Sequence, residues 1–180
     1  MVYVILADDF EEIEAIEPID ILRRGGVQVK TVSIMDTLNV NGAHGITLKA
    51  DIDISEVNAA DMDMLILPGG MGHTLLDASN EVHGLINYAL VNGKYIAAIC
   101  ASPSILGKKQ LLSGKKATCY PGFEKYCYGA EMTGDKVAID GKIITGKGPG
   151  AAADFGFALL KTLKCDDTAS DIRSAMQYDA

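Results

Sequence analysis

The feature that most constrains the fold is segment 95–104, YIAAICASPS, in which an apolar run meets a cysteine and then a proline. Small residues flank Cys100, and Pro103 is typical of the first turn of a helix. A nucleophile on a sharp turn between a strand and a helix has this layout, because small neighbours let its side chain project from the sheet. The positive end of the following helix would favour the thiolate. An inert core cysteine is the alternative, since free cysteines are often buried.

Strand-like and helix-like patterns alternate along the chain. We predict strands at residues 2–6, 27–34, 62–67 and 116–120, a short strand pair within 39–53, and a hairpin of 136–139 with 142–145 around Asp140-Gly141. We predict helices at about 81–92, from 103 to about 112, after residue 150, and at 170–178. This alternation predicts a doubly wound, mostly parallel α/β sheet.

Composition limits the class of protein further. The length of 180 residues predicts one domain, with a core at about 2–163 and a tail at 164–180. A net charge of −8 argues against nucleic acid and anionic membranes as partners. No apolar run reaches the roughly 20 residues that span a bilayer, and the first residues lack the basic region of a signal peptide. Four cysteines without a C-x-x-C motif argue against disulfides and zinc and favour a reducing cytoplasm.

Three turns, at residues 7–14, 68–72 and 99–103, follow predicted parallel strands. Because ligands bind outside the carboxyl ends of such strands, we expect a site there. Gly69 and Gly70 in the second turn can offer backbone N–H groups to an oxyanion, although a tight turn explains the same residues. The GKGPG segment at 146–150 lacks the spacing of a nucleotide-binding loop.

The first helix carries three acids near its start. Its predicted buried face consists of apolar residues at three-residue spacing: Ile13, Ile16, Ile19 and Leu22. Gly25-Gly26 is predicted to end the helix. Pro18 is expected to kink or interrupt the helix. Glu11 and Glu12 are expected to face water and to interact with the helix dipole. Glu14 shares no such face, and a carboxylate buried beside a thiol would have a raised pKa and could act as a general base.

The histidines give no cysteine–histidine dyad. None of His44, His73 and His83 is adjacent to Cys100, where Ala101 stands. His83 is expected to lie on the surface. His73 and His44 could each reach a pocket, as His73 could at the glycine turn, although a solvated loop position is the commoner case for both. Cys119 and Cys127 are interpreted as packing residues.

Four segments together resemble the ThiJ/PfpI superfamily, and its branch of DJ-type proteins most of all. They are ADDFEEIEAIEPIDILRRGG from residue 7, LPGG from 67, AAICASPS from 97 and TGKGPGAAADFGFAL from 145, and the likeness covers about residues 2–163. The resemblance implies a flavodoxin-like fold, a homodimer, and chemistry without cofactor or metal. It also implies that Cys100 is a strained, readily oxidised elbow cysteine, that Glu14 bonds its thiol, and that Gly69 and Gly70 lie on the oxyanion side.

The sequence departs from this family at three pocket positions. Tyr120 stands where the branch usually has histidine, and phenols are poor proton shuttles at neutral pH. His44 and Lys147 stand where it has arginines. Ala101 replaces the histidine that follows the cysteine in protease-type members.

Three functions follow from the resemblance. The first is a glyoxalase-like or deglycase-like enzyme acting on small α-oxoaldehydes, in which Cys100 attacks, Glu14 moves protons, and the N–H groups of Gly69, Gly70 and Ala101 hold the oxyanion. Tyr120 or His44 would replace the missing histidine. The second is a redox sensor or stress chaperone that uses Cys100 oxidation. The third is a hydrolase of small esters or amides, against which Ala101 argues.

Overall fold

The computed structural model describes residues 1–178, and its central feature is a seven-stranded sheet. The strands of this sheet are Val2–Leu6 (β1), Val29–Ser33 (β2), Ile52–Asp53 (β5), Met64–Leu67 (β6), Tyr95–Ile99 (β7), Val137–Asp140 (β10) and Ile143–Gly146 (β11). They lie in the order β10-β11-β7-β6-β1-β2-β5. All neighbouring strands run parallel except β10 and β11, which form the predicted hairpin. Two small two-stranded sheets pair Asn39–Asn41 (β3) with Thr47–Lys49 (β4), and Lys116–Ala117 (β8) with Glu131–Met132 (β9).

Helices cover both faces of the large sheet. They are Glu12–Arg24 (α1), His73–Ala78 (α2), Asn80–Val91 (α3), Pro103–Lys108 (α4), Ala152–Leu163 (α5) and Asp166–Ala175 (α6). Alternate residues of β1 enter two separate cores, because successive side chains of a strand point to opposite faces. Val2, Val4 and Leu6 pack with α1 and α5, whereas Tyr3 and Ile5 pack with α3. The predicted mostly parallel α/β fold is confirmed.

The prediction for the buried face of α1 was wrong. Ile13 and Ile16 are 51% and 38% exposed, whereas Ile19 and Leu22 are buried as expected. The buried face instead runs through Glu12, Glu14, Ala15, Pro18, Ile19, Ile21 and Leu22. Its partner is α5, where Gly156 lets Pro18 and Ile21 approach closely. The helix is continuous through Pro18.

Several predicted element boundaries also shift. The helix predicted at 81–92 is α3, and a short helix that was not predicted, α2, precedes it. Ser79, between the two helices, caps α3 by accepting a hydrogen bond from the N–H of Val82. The helix after Pro103 ends at Lys108 rather than near 112. The tail helix is α6 at Asp166–Ala175 rather than 170–178. The last two residues of the predicted tail, 179–180, lie outside the described residues. Within residues 1–178, no helix has both the length and the apolar character needed to span a membrane.

Candidate active site

Backbone pairing brings the three predicted turns together at one edge of the sheet. Phe10, which is buried, forms isolated β-bridges to both Gly42 and Gly70. Gly70 has φ +81, and a side chain there would meet the carbonyl of Asp9, so this close crossing requires glycine. Ser102 extends the contact to the third turn by donating a hydrogen bond from Oγ to the carbonyl of Pro68. The turns after β1, β6 and β7 are therefore fixed to one another.

Cys100 directly follows β7 and is the first of the three residues that connect β7 to α4. Its φ is +66, in the left-handed region that residues other than glycine rarely occupy. Hydrogen bonds hold this conformation on both sides: the N–H of Cys100 donates to the carbonyl of Gly146 (2.9 Å), and the carbonyl of Cys100 accepts from the N–H of Tyr120 (2.8 Å). Cys100 thus occupies a strained elbow, in the position that the sequence pattern indicated.

The environment of the thiol differs from the expected exposed thiolate of low pKa. Cys100 is only 8% exposed. Burial, followed by the negative charge of Glu14 and the hydrogen bond to it, raises the pKa of the thiol from 9.0 to about 12. The N–H groups of Gly70 and Ala101 donate to the sulfur and act in the opposite direction. Desolvation therefore outweighs the helix terminus, which belongs to a helix of only six residues.

Glu14 is fully buried on the first turn of α1. Burial is the largest cause that raises the pKa of its carboxyl group from 4.5 to a net value of about 7. The hydrogen bond with Cys100 and that from the N–H of Gly69 lower this pKa, and the charge of Glu11 raises it. The N–H of Gly69 donates to Oε2 at 3.0 Å. Oε1 is buried and accepts no hydrogen bond from residues 1–178. Burying a carboxyl oxygen without a hydrogen-bond partner costs free energy, and the cost is smaller when the carboxyl group is protonated and therefore neutral.

Glu14 and Cys100 therefore titrate as a pair. A proton on Glu14 removes the negative charge that opposes the thiolate, whereas a proton on sulfur leaves Glu14 charged. Above about pH 7 the pair keeps one proton, which resides on sulfur, and moving it to the carboxyl group produces a nucleophile and an acid together. This arrangement suits general acid–base chemistry beside a covalent attack.

Gly69 lies in the narrowest part of the site. A Cβ added there would lie 2.4 Å from Oε2 of Glu14 and 2.5 Å from Cβ of Cys100. The assignment of Gly69 as an oxyanion donor does not fit this geometry, because its N–H is already bonded to Glu14. Gly70 and Ala101 direct their N–H groups at the sulfur and remain the donors nearest to a group bound there.

We expect Gly69→Ala to disrupt the Cys100–Glu14 pair. The added methyl group must displace Glu14 or the elbow, so the variant should lose about 1–3 kcal/mol of unfolding free energy and most of the reactivity of Cys100 toward iodoacetamide. Gly84→Ala, in α3, is the matched control, since its Cβ would meet nothing within 4 Å. Urea unfolding and the rate of Cys100 alkylation measure both effects. Wild-type values in Gly69→Ala would show that Gly69 is an ordinary turn residue.

Tyr120 lies beside the site but is half-exposed. Its ring packs against Gly148, where a Cβ would lie 3.0 Å from the ring and 3.9 Å from Oε1 of Glu14. Residues of the two segments around them line a cavity of about 190 Å³: Tyr120, Pro121, Lys147, Gly148, Pro149, Gly150 and Ala151. Lys147 extends away and donates a hydrogen bond from Nζ to the carbonyl of Gly134 (2.9 Å). The unpartnered oxygen of Glu14 therefore lies on the side of this cavity.

His44 interacts with the acids that precede Glu14. Its Nδ1 lies 2.8 Å from Oε2 of Glu12, and its N–H donates to Oε1 of Glu12 at 2.7 Å. The hydrogen bond with Glu12, followed by the charge of Glu11, raises the pKa of His44. Glu12 is 5% exposed, so the expectation that it faces water was wrong. Among residues 1–178, Glu11, Glu12 and His44 are the group with metal-ligating spacing, with ligand atoms within 4.8 Å of one another.

The other two histidines, His73 and His83, make hydrogen bonds to backbone carbonyl groups rather than to Cys100 or Glu14. His73, expected to be solvated, is 7% exposed, because its Nδ1 lies 2.9 Å from the carbonyl of Gly70 and its ring packs edge-on against Phe123. His83 is partly buried on α3, with Nε2 at 2.7 Å from the carbonyl of Asp77. His73 therefore supports the glycine turn. Two supporting residues, Phe10 and Ser102, were missed in the sequence, because neither carries a pattern that separates it from ordinary turn and core residues.

Together, the mostly parallel sheet and the strained cysteine beside a buried carboxyl group define an α/β protein of the cysteine-elbow class. Residues 1–162 match the model of the DJ-1/PfpI family, and the chain belongs to that family.

Similar proteins agree with this assignment. The chain is 36% identical over 170 residues to protein DJ-1 homolog B of Arabidopsis thaliana, covering 93% of this chain but only 39% of that relative's length. It is 32% identical over 158 residues to a Caenorhabditis elegans protein named glutathione-independent glyoxalase DJR-1.2, covering 87% of this chain and 84% of the relative. The structure of oxidized DJ-1 from Toxoplasma gondii has a TM-score of 0.94 and 36% identity, covering 99% of this chain and 98% of that one.

Proposed function

We propose that this protein converts small α-oxoaldehydes, such as methylglyoxal, to 2-hydroxy acids without glutathione or a cofactor. The observation that carries the proposal is the pair of Cys100 and Glu14. In it a buried carboxyl group of pKa about 7 is hydrogen-bonded to the thiol and has one oxygen that finds no partner among residues 1–178. The printed name of the C. elegans relative supports the same substrate class.

The first step is the attack of sulfur on the aldehyde. Glu14 accepts the thiol proton, and the Cys100 thiolate adds to the aldehyde carbon to form a hemithioacetal. The N–H groups of Gly70 and Ala101, which bond the sulfur, would stabilise the developing oxyanion. Protonated Glu14 then neutralises that oxygen, so the carboxylate is regenerated.

The second step moves hydrogen between the two oxidised carbons. The Glu14 carboxylate removes the proton from the carbon bonded to sulfur and returns it to the neighbouring carbon. The hydroxyl proton on the first oxygen passes to the ketone oxygen, so the first carbon becomes the carbonyl of a thioester and the second carries the hydroxyl group of the hydroxy acid. A carboxyl pKa near 7 suits both halves of this transfer, because the group then accepts and donates protons with similar ease at neutral pH. Water hydrolyses the thioester and releases lactate and the free thiol.

Lactate formation from methylglyoxal in the absence of glutathione tests the proposal. We expect the wild-type protein to produce lactate catalytically, with many turnovers per chain. Cys165→Ser is the matched control, because Cys165 is the exposed cysteine and lies at the start of α6. Equal turnover in this variant would exclude a contribution from that thiol. Absence of lactate above the rate without protein would refute the proposed activity.

A redox-sensing function is the second candidate, favoured by the half-exposed Tyr120 at the position where a pocket histidine would assist proton transfer. Oxidation of Cys100 requires only the thiolate and donors for the added oxygens, and Gly70 and Ala101 supply such donors. Mass spectrometry after dilute peroxide would then show two oxygens added to Cys100 in a protein that forms no lactate.

We also propose that the protein is a homodimer. Ile13 and Ile16 on α1 and Ile46 in the loop after β3 are 51%, 38% and 55% exposed. Ile13 and Ile46 border the same cavity together with Pro149. Exposed apolar residues clustered in this way are typical of interfaces between subunits.

A further inference from the structure

Two buried cysteines, Cys119 and Cys127, are not used by the proposed reaction. Their segment adjoins the elbow, because the N–H of Tyr120 donates a hydrogen bond to the carbonyl of Cys100. Cys119 and Cys127 are 4% and 3% exposed and belong to the core on the α3 face of the sheet. Both thiols are free, and a side-chain hydrogen bond connects them. Their nine-residue segment therefore places two hydrogen-bonded thiols in one buried cluster, although the sequence spacing alone suggested separate packing residues.

The backbone holds the two cysteines together without any covalent link. Three successive turn hydrogen bonds fold the segment back on itself: the N–H of Phe123 donates to the carbonyl of Tyr120 (3.1 Å), Tyr126 to Phe123 (2.9 Å) and Cys127 to Glu124 (2.9 Å). Gly107 of α4 packs so closely on this segment that a Cβ there would lie 2.5 Å from Cα of Cys127. Because the fold already brings the ends together, closing the ring requires little further ordering of the chain.

The chemistry of the two sulfurs is unequal. The hydrogen bond from the Cys119 thiol lowers the pKa of Cys127, and the same bond raises the pKa of Cys119. Cys127 therefore forms a thiolate more readily than Cys119, which donates the hydrogen bond. This pair resembles the two cysteines of a dithiol redox centre, in which one thiol stabilises the thiolate of the other through a hydrogen bond.

We infer that Cys119 and Cys127 form a reversible dithiol–disulfide site that is oxidised by small hydroperoxides independently of Cys100. The Cys127 thiol releases its proton, and the thiolate attacks the terminal peroxide oxygen. The O–O bond breaks, the departing alkoxide or hydroxide takes up that proton and leaves as an alcohol or water, and the sulfur becomes a sulfenic acid. The Cys119 sulfur then attacks Cys127, the S–O bond breaks, and the departing hydroxide takes the Cys119 proton as water. Two thiols and one peroxide give one disulfide, one alcohol or water, and one further water.

A disulfide at this site would fix the turn that carries Tyr120. Tyr120 follows Cys119 directly, bonds the carbonyl of Cys100 through its N–H, and lines the cavity beside Glu14. Oxidation of the pair by peroxide would therefore restrict the position of Tyr120 in the cavity wall of the candidate active site.

The double variant Cys100→Ala/Cys165→Ser tests the inference, because it leaves Cys119 and Cys127 as the two cysteines of the four-cysteine chain. We expect hydrogen peroxide to lower its free-thiol content from two to none per denatured chain, and dithiothreitol to restore both. Trypsin should release one cross-linked product, since cleavage after Lys116, Lys125 and Lys136 puts the cysteines into separate peptides. The chain must remain monomeric on denaturing gels, which shows that the bond lies within one molecule.

Wild-type protein and one further variant complete the test. The same cross-linked peptides should appear in wild-type protein treated with peroxide, and Cys127→Ala in the double-variant background should retain one thiol that reacts far more slowly. Two free thiols after peroxide, or sulfinic acids in place of the cross-link, would overturn the inference. A cross-link that forms in wild type but not in the double variant would also overturn it, because the oxidation would then pass through Cys100.

Discussion

Replacing Cys100 by serine is expected to lower lactate formation from methylglyoxal by a factor on the order of 10³ or more. Glu14, with a pKa of about 7, can take the proton of a thiol but is far too weak a base for a serine hydroxyl. The substitution exchanges one atom for a smaller one at a buried position, and the hydrogen bonds of the Cys100 backbone to Gly146 and Tyr120 do not involve the sulfur. The fold should therefore survive while the nucleophile is lost.

Initial rates with saturating methylglyoxal measure this effect. Cys165→Ser provides the control for the loss of a cysteine as such, and the thermal unfolding curve of Cys100→Ser provides the control for folding. Turnover within a few-fold of wild type in folded Cys100→Ser protein would contradict covalent catalysis by this residue.

Replacing Glu14 by glutamine is expected to lower kcat by about 10²–10⁴. The amide has the shape of the carboxylic acid and can still accept the N–H of Gly69, but it can neither take the thiol proton nor return a proton to carbon. Wild-type kcat/KM should rise with pH through about 7, since the active pair needs the carboxylate form of Glu14. The variant should lack this inflection. An unchanged pH profile with normal kcat would contradict the proton-transfer role.

The same variant should change the pH dependence of stability. The pKa of Glu14 is raised from 4.5 to about 7 by folding, so the protonated group stabilises the protein fully below pH 4.5, and that contribution is lost as pH rises to about 7. A shift of this size corresponds to about 3 kcal/mol. The raised pKa of Cys100 acts only above pH 9 and does not enter this window.

Urea unfolding at pH 4.5 and pH 7.5 would measure the contribution. Between these values wild-type protein should lose about 3 kcal/mol more unfolding free energy than Glu14→Gln. Glu81→Gln is the control, because folding lowers the pKa of that exposed carboxyl group and gives a contribution of opposite sign. Parallel pH profiles for wild type and Glu14→Gln would show that Glu14 is solvated in the folded protein.

Sequence patterns predicted the sheet because its buried strands are continuous apolar runs bounded by glycine and proline turns. The elbow was predictable for a similar reason, since small residues around Cys100 and Pro103 after it serve a local backbone geometry. The burial of Glu14 was also anticipated, but on a wrong premise: Ile13 and Ile16, assumed to be core residues, are exposed. The buried face of α1 is instead set by its contact with Gly156 of α5. The apolar periodicity of one helix does not show which other element will pack against it.

The rest of the site depends on contacts between distant residues. The pairing of Glu12 with His44 joins α1 to a loop more than thirty residues away, and the use of the Gly69 N–H by Glu14 joins two turns. The pKa values depend on burial, which reversed the expectation of an acidic thiol at Cys100. The contact of Cys119 with Cys127 depends on the fold of the intervening turns.

The double bridge at Phe10 has a consequence for local unfolding. Its carbonyl accepts the N–H of Ala43, while the neighbouring carbonyl of Asp9 accepts the N–H of Gly72, and the N–H of Glu11 donates to the carbonyl of Gly69. The loops at residues 42–46 and 69–72 are thus both hydrogen-bonded to residues 9–11, the three-residue stretch that leads into α1. Opening either loop must break bonds that position Glu14, so amide protons in both loops should exchange with solvent as one cooperative unit rather than as two independent surface loops.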